Sequence, residues 1–191
     1  IQGPKSMDLL SDVISGEFSA SWRYFDLCGV NIAGEKVIIT RTGFSNELGW
    51  EIYLSPQNDV EKIGNAIWAA GQKYGIILAG TPVFRARRIE AGLLSMADFV
   101  NCNPYEAGLG HFLHMDKTDF IGRNALQNVD KTSYTFGMRV RGGIAKHGKT
   151  LMSNGEVIGS VASSTWSPFQ ECGVAIVKLN NLETALGAEV E

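Results

Sequence analysis

The sequence predicts an α+β fold that ends in an all-β segment, on three observations. Apolar residues recur at helical spacing behind proline-led starts, β-rich runs alternate between glycine turns, and the character of the chain changes after residue 133. Hydrophobic residues make up 45% and charged residues 19% of the 191 positions, which is ordinary globular composition for one large domain or two small ones.

PKSMDLLSDVI sets Met7, Leu10 and Ile14 near helical spacing behind Pro4, and predicts a short helix. WRYFDLCGVNIAGEKVIITRTG reads as strands punctuated by Gly29 and Gly34. A hairpin follows through TGFSNELGWE, residues 42–51, between the strands EKVIIT and IYLSP. SPQNDVEKIGNAIWAAGQKYG predicts a helix with Ser55 as N-cap, Pro56 in the first turn, and a buried stripe of Val60, Ile63, Ile67 and Ala70 that Gly75 ends. Thr81 and Pro82 open a second, unusually basic helix, TPVFRARRIEAGLL, in which Arg85 and Arg88 lie three apart. From residue 95 the periodicity fades, with a turn at Asn103-Pro104, a short strand at Leu113–Met115 and a helix over Phe120–Leu126. FGMRVRG, KTLMSNGEVIGSVASS and CGVAIVKL then read as short strands, Asn154-Gly155 being a hairpin signal. A linker near Val129–Ser133 thus separates an α+β portion, 1–128, from an all-β portion, 134–191. IQGPKS at the start and LGAEVE at the end both read as elements cut short, so the chain is expected to be a fragment lacking an N-terminal part and a C-terminal end.

Charge and cysteine content narrow the function classes. A formal net charge of -3 gives no field to attract a polyanion, which argues against nucleic acid. Cys28, Cys102 and Cys172 have no C-x-x-C spacing, which fits a reducing cytoplasm better than a disulfide framework. No apolar run of about 18 residues indicates a membrane span, and no signal-peptide pattern is present. His111, His114 and Asp116 raise the idea of a metal, but a spacing of three on a strand sends the two rings to opposite faces, so no metal site is assigned. Ser163, Ser164 and Ser167 near His147 lack a G-x-S-x-G elbow and read as a hydrogen-bonded loop. The glycines at 29–36 and 80–82 carry no phosphate-loop or dinucleotide fingerprint.

The 42–51 turn carries more than a turn requires: an aromatic residue, acids on both sides of Gly49, and Trp50. Alternation puts Glu51 and Tyr53 on one strand face and Trp50, Ile52 and Leu54 on the other. If the apolar set faces the core, Glu51 is a carboxylate held outward on a rigid strand, with Phe44 returning over it. An acid beside aromatic faces suits a flat heterocycle with N–H donors. Spacing alone leaves a solvated hairpin acid as the other reading.

The succession IQGPK, RTGFSNELGWEIYL, RRIEAGLL, NPYEAGLGHFLHMDKTDFIGRNAL, SVASSTWSP and GVAIVKL resembles the glycine-cleavage T-protein (aminomethyltransferase) family, collinearly over nearly the whole chain. The resemblance implies tetrahydrofolate as the one-carbon acceptor, ferredoxin-like α+β folate-binding domains, and a C-terminal antiparallel β-barrel over 134–191. It implies an enzyme, although the fragment alone is expected to be inactive. Matched to the family motif T-G-Y-T-G-E-D-G-F-E, Glu51 is the acid that hydrogen-bonds the pterin, and Phe44 stands where Tyr is common. The family's folate Arg falls at Phe84, with Arg85 one residue on; Arg88 matches a family Arg that pairs with Glu90 or another local acid. The resemblance further places Tyr53 and Trp166 around the folate, Trp166 equally reading as an interdomain packing residue. The family's catalytic Asp has no match in this chain, and Asp98 is not assigned its role. The GFSNELGWEIYL form is nearer to demethylase-like members. The implied partners are a small-molecule one-carbon donor and a lipoylated carrier protein or a dehydrogenase. The alternative is a folate-binding assembly or regulatory protein of the same fold without transfer activity.

Overall fold

The computed structural model describes residues 1–191 except 17, 20, 101, 130 and 181–186. Two compact units, Ile1–Phe84 and Arg85–Glu191, divide the chain. Each is built on its own four-stranded antiparallel sheet.

In the first unit, helix α1 (Ser6–Val13) runs into β1 (Ile14–Ser15), followed by β2 (Leu27–Ile32), β3 (Glu35–Thr40), β4 (Glu51–Tyr53) and helix α2 (Val60–Gly71). The sheet order is β1-β2-β3-β4. Leu10, Ile14, Ile32, Val37, Ile39, Trp50 and Ile63 bury together as the core between the helices and one sheet face. Strand alternation then fixes the other face: Val37 and Ile39 are buried while Ile38 between them is 49% exposed. The register pairs Ile38 with Tyr53 and Thr40 with Glu51, so these four share the outward face.

Trp50 is the largest fully buried side chain. Its ring meets Phe18 at 5.4 Å and Trp22 edge-on at 5.0 Å, arrangements that favour the aromatic quadrupole. Its Nε1 has no hydrogen-bond partner, a desolvation cost of about 1–3 kcal/mol that the buried ring area offsets.

The start of α2 differs from the sequence expectation. Asp59, not Ser55, is the N-cap: its side chain accepts from the Lys62 N–H at 3.0 Å. Ser55 instead donates through both its N–H and hydroxyl to Asn58 Oδ1. Asn58 is in turn held by Glu35 and the Lys36 carbonyl, which forces a turn before the helix opens. Val60 is therefore exposed and the buried stripe begins at Ile63. Past α2, a 3-10 turn at Gln72–Tyr74 closes on Gly75 in the left-handed region at φ 74°.

Helix α3 (Thr81–Glu90) begins at the predicted Thr81 and carries the chain into the second unit. That unit continues with α4 (Met96–Phe99), α5 (Arg123–Gln127), β5 (Tyr134–Val140), β6 (Thr150–Ser153), β7 (Glu156–Ser167) and β8 (Cys172–Leu179). The expected strand at Leu113–Met115 is absent; a 3-10 turn at Gly110–Phe112 precedes irregular chain. The Asn103 side chain accepts from the Tyr105 and Glu106 N–H groups and winds the preceding segment into turns, leaving no neighbouring strand there to pair with. Gly122 at φ 91° delays α5 to Arg123, three residues beyond the expected start.

The second sheet has the order β5-β8-β7-β6. Asn154 and Gly155, at φ 52° and 81°, make the predicted hairpin turn between β6 and β7. A bulge in β7 makes Ala162 the extra residue between the pairs Val161↔Val177 and Ser163↔Ile176. One face of the sheet buries Leu151, Val161, Ala175, Val177 and Leu179; the other buries Ala162, Val174 and Ile176 with Ile89 of α3. Of the closing LGAEVE, Leu186 lies outside the described residues, and Glu191 exchanges backbone hydrogen bonds of 2.7 and 2.9 Å with Met152 of β6.

Replacing Trp50 with Ala is expected to lower the unfolding free energy by about 3–5 kcal/mol through lost burial and a cavity. Trp50→Phe should cost less, because it also removes the unpartnered N–H. Urea unfolding of both variants checks the order.

Candidate functional site

The turn between β3 and β4 is held from below by a segment distant in sequence. Residues Ile1–Gly3 run beside residues 48–50: Gly3 N–H donates to Leu48 O at 2.7 Å, Trp50 N–H to Ile1 O at 2.8 Å, and Gln2 bridges to Gly49. Ser45 Oγ donates to Gln2 Oε1 at 2.6 Å. The Gln2 side chain lies where Cβ atoms on Gly43 and Gly49 would fall, 2.2 and 2.1 Å from its Oε1. These two glycines are therefore required by close approach. On the flank of the turn, the Arg41 guanidinium sits 5.7 Å from the Tyr24 ring and 5.8 Å from the Trp50 ring, and donates to Gly49 O at 3.3 Å.

Out of this anchored turn β4 starts with Glu51. Trp50 on one side of the step is fully buried; Glu51 on the other is exposed. The Thr42 hydroxyl donates to Glu51 Oε2, and the Tyr53 hydroxyl donates to the same oxygen at 3.2 Å. Thr42 Oγ1 lies 2.5 Å from Thr40 Oγ1, which extends the chain of hydroxyls back to the last residue of β3. Among the described residues none donates to Oε1. The result is a carboxylate with one oxygen tied down and the other available to accept hydrogen bonds.

The remaining sequence-predicted residues are placed as follows. Tyr53 joins Glu51 on the outward face and is 54% exposed. Phe44 stands 42% exposed in the turn. Leu54, expected on the core face, is 39% exposed because β4 ends at Tyr53. Arg85 and Trp166 belong to the second unit, both exposed. The structure thus brings Glu51 and Tyr53 together by direct hydrogen bond, and Phe44 lies in the same turn. Gln2, Thr40 and Thr42 were not anticipated. The two threonines were discoverable, since both keep the even-numbered parity of Ile38, Thr40 at the end of β3 and Thr42 at the start of the turn; Gln2 gave no local signal.

Arg88 and Asp98 have a structural part in the second unit. Arg88 Nη1 pairs with Asp98 Oδ2 at 2.7 Å, and its Nη2 donates to Ser163 Oγ at 3.2 Å. The Asp98 carboxylate also accepts from the Ser163 hydroxyl and from the Ser95 N–H and hydroxyl, the capping box of α4. Burial pushes the Asp98 carboxyl up, but the hydrogen bonds from Ser163 and Ser95 and the Arg88 charge outweigh it and hold the group below the usual carboxylate value. Its oxygens are all engaged, so it offers no base to a ligand. Glu90 is likewise bound, by Arg87 at 2.6 Å and Ser167 at 2.5 Å. His147 Nδ1 contacts the Ala162 carbonyl at 2.6 Å rather than a serine. Among the described residues no group of three or more His, Cys, Asp or Glu gathers to hold a metal. Among the described residues no helix is long and apolar enough to cross a membrane.

Comparison with known proteins gives concordant results. Residues 1–117 match the family model described as the GCVT N-terminal domain. The aminomethyltransferase of Halothermothrix orenii is 35% identical over 182 residues, covering 92% of this chain and 50% of that protein. The aminomethyltransferase of Caldanaerobacter subterraneus subsp. tengcongensis is 30% identical, covering 100% of this chain and 52% of that protein. The chain spans about half the length of the curated relatives it matches. The crystal structure of glycine cleavage system aminomethyltransferase T from Bartonella henselae superposes with a TM-score of 0.81 at 24% identity, over 99% of this chain and 53% of that one. That likeness establishes the fold.

Two outcomes follow from the Arg88–Asp98 pair. Because the folded Asp98 is more acidic than its unfolded form, its contribution is complete above about pH 4 and is lost as pH falls through the folded value. Unfolding free energy should therefore decline with acidification below about pH 4, and Asp98→Asn should flatten that decline. At neutral pH, Arg88→Ala should cost about 3–5 kcal/mol, since it strands a buried carboxylate. Urea titrations across a pH series measure both.

Proposed function

We propose, from the premise that this chain belongs to the GCVT N-terminal domain family, that the protein carrying it transfers a one-carbon unit to tetrahydrofolate, with Glu51 accepting hydrogen bonds from the pterin. The observation that carries this reading is the outward carboxylate of Glu51, fixed at Oε2 and open at Oε1. A flat heterocycle with adjacent N–H groups matches that acceptor chemistry. Aminomethyltransferase relatives aligned over 92% and 100% of the chain support the reaction class.

In this reading Tyr53 and Phe44 flank the ring system, and Arg85 and Trp166 are further folate contacts. The donor is a small amine or sulfonium compound, which places the protein on either the glycine-cleavage or the demethylase branch. A lipoylated carrier protein or a dehydrogenase is the partner that presents or generates the donor, in the cytoplasm. The division into a folate-binding portion, 1–128, of ferredoxin-like type and a barrel portion, 134–191, is part of the same reading. Tetrahydrofolate, when bound, supplies the nucleophilic nitrogen. This chain's residues bind and orient: Glu51 fixes the ring, and the two reactants gain from being held together rather than from any covalent step with protein.

A second reading is favoured by two substitutions. Phe44 lacks the hydroxyl of the family Tyr and Phe84 lacks the charge of the family Arg, which suits a folate-binding assembly or regulatory protein without transfer activity. Calorimetry with tetrahydrofolate on the natural full-length protein, followed by glycine-derived, dimethylglycine and dimethylsulfoniopropionate donors, separates the two. Binding with transfer from one donor establishes the enzyme and its branch; binding without transfer favours the second reading. Glu51→Gln should weaken binding roughly tenfold to a hundredfold, as loss of charged hydrogen bonds implies. Unchanged affinity would overturn the assignment of Glu51.

A further inference from the structure

Glu51 begins a three-residue strand and is exposed, and a glutamate side chain in that setting has three torsions to rotate about. A freely rotating acid loses that entropy when a ligand arrives, and binds more weakly for it. The surrounding residues remove the freedom beforehand. We infer that Thr42 and Tyr53 are positioning residues that clamp Oε2 of Glu51 so that Oε1 alone is presented to the ligand, an inference that rests on the reading of Glu51 as the ligand-binding acid.

Three observations combine to support it. Both hydroxyls converge on one oxygen, Thr42 from the start of the turn that follows β3 and Tyr53 from two residues along β4. Secondly, the Thr42 hydroxyl has its own orientation set, because Thr40 Oγ1 lies 2.5 Å away. With Thr42 donating to Glu51, the proton of the Thr40–Thr42 contact comes from Thr40, and all donors point one way toward the carboxylate. Thirdly, the backbone register fixes the two residues on either side of the contact: Thr40, whose hydroxyl meets that of Thr42, pairs with Glu51, and Ile38 pairs with Tyr53.

Tyr53 thereby acts through its hydroxyl on Glu51 as well as through its ring, a role that separates it from Phe44. With Oε2 occupied by two donors, Oε1 is the oxygen left to accept, which suits ligand groups that donate N–H.

The test uses Thr42→Val, Thr42→Ser and Tyr53→Phe in the natural full-length protein, with Glu51→Gln alongside. Tetrahydrofolate affinity is measured by calorimetry, and the Glu51 side-chain carboxyl 13C resonance is followed in the free protein. Thr42→Val should weaken binding roughly tenfold and displace the resonance without ligand, Thr42→Ser should restore both, and Tyr53→Phe should displace the resonance in the same direction. A resonance unmoved by Thr42→Val overturns the clamp. Loss of affinity in Glu51→Gln with unchanged affinity in Thr42→Val overturns the inference and leaves the reading of Glu51 standing. Wild-type affinity in Glu51→Gln overturns that reading, and the inference with it.

Discussion

The first unit depends on the reversal of direction between Trp50 and Glu51. Adjacent residues of an extended chain point to opposite sides of a sheet, so burying the indole among Phe18, Trp22 and the aliphatic core dictates that the next side chain faces out. The hydrophobic effect acting on Trp50 thus sets the direction of the charged group next to it. A slip of one residue would put the carboxylate in the core and the indole in water, both strongly unfavourable, which is why the register of so short a strand is firmly set.

Much of this was legible in the sequence, and the parts that were not share a cause. The outward pairing of Glu51 and Tyr53 follows from a period of two, which needs only neighbouring residues to read. Asn154-Gly155 and Thr81-Pro82 were equally local signals, and both elements begin where those dipeptides stand. Failures came where a remote partner decided the outcome. Ser55 has every local property of a helix cap, yet Asn58 takes its donors because Glu35 and Lys36, more than twenty residues away, fix Asn58 first. Leu113–Met115 has strand-like composition but no strand beside it. Gln2 is invisible as a determinant of the turn until the chain brings it against Gly43 and Gly49.

The two units answer a similar demand with different chemistry. In the first, a carboxylate is held at the surface with acceptor capacity to spare. In the second, the Asp98 carboxylate is sealed and saturated, its charge matched by Arg88 and its remaining lone pairs by Ser95 and Ser163. Residue type alone would rank both acids alike. Burial and the count of donors separate them, the first as a group that can still bind something and the second as a joint between α3, α4 and β7.

The bulge at Ala162 gives β7 an uneven tolerance to changes in length. Because Ala162 is surplus to the ladder, a strand that lost it would still turn Ser163 toward Asp98 of α4 and Ser167 toward Glu90 of α3. Losing one residue between those serines would rotate Ser167 to the opposite face and leave Glu90 short of a donor. Related chains that vary in length through this strand should thus carry their gaps at the bulge, making it a point where the evolutionary reading frame of the sheet is free to shift.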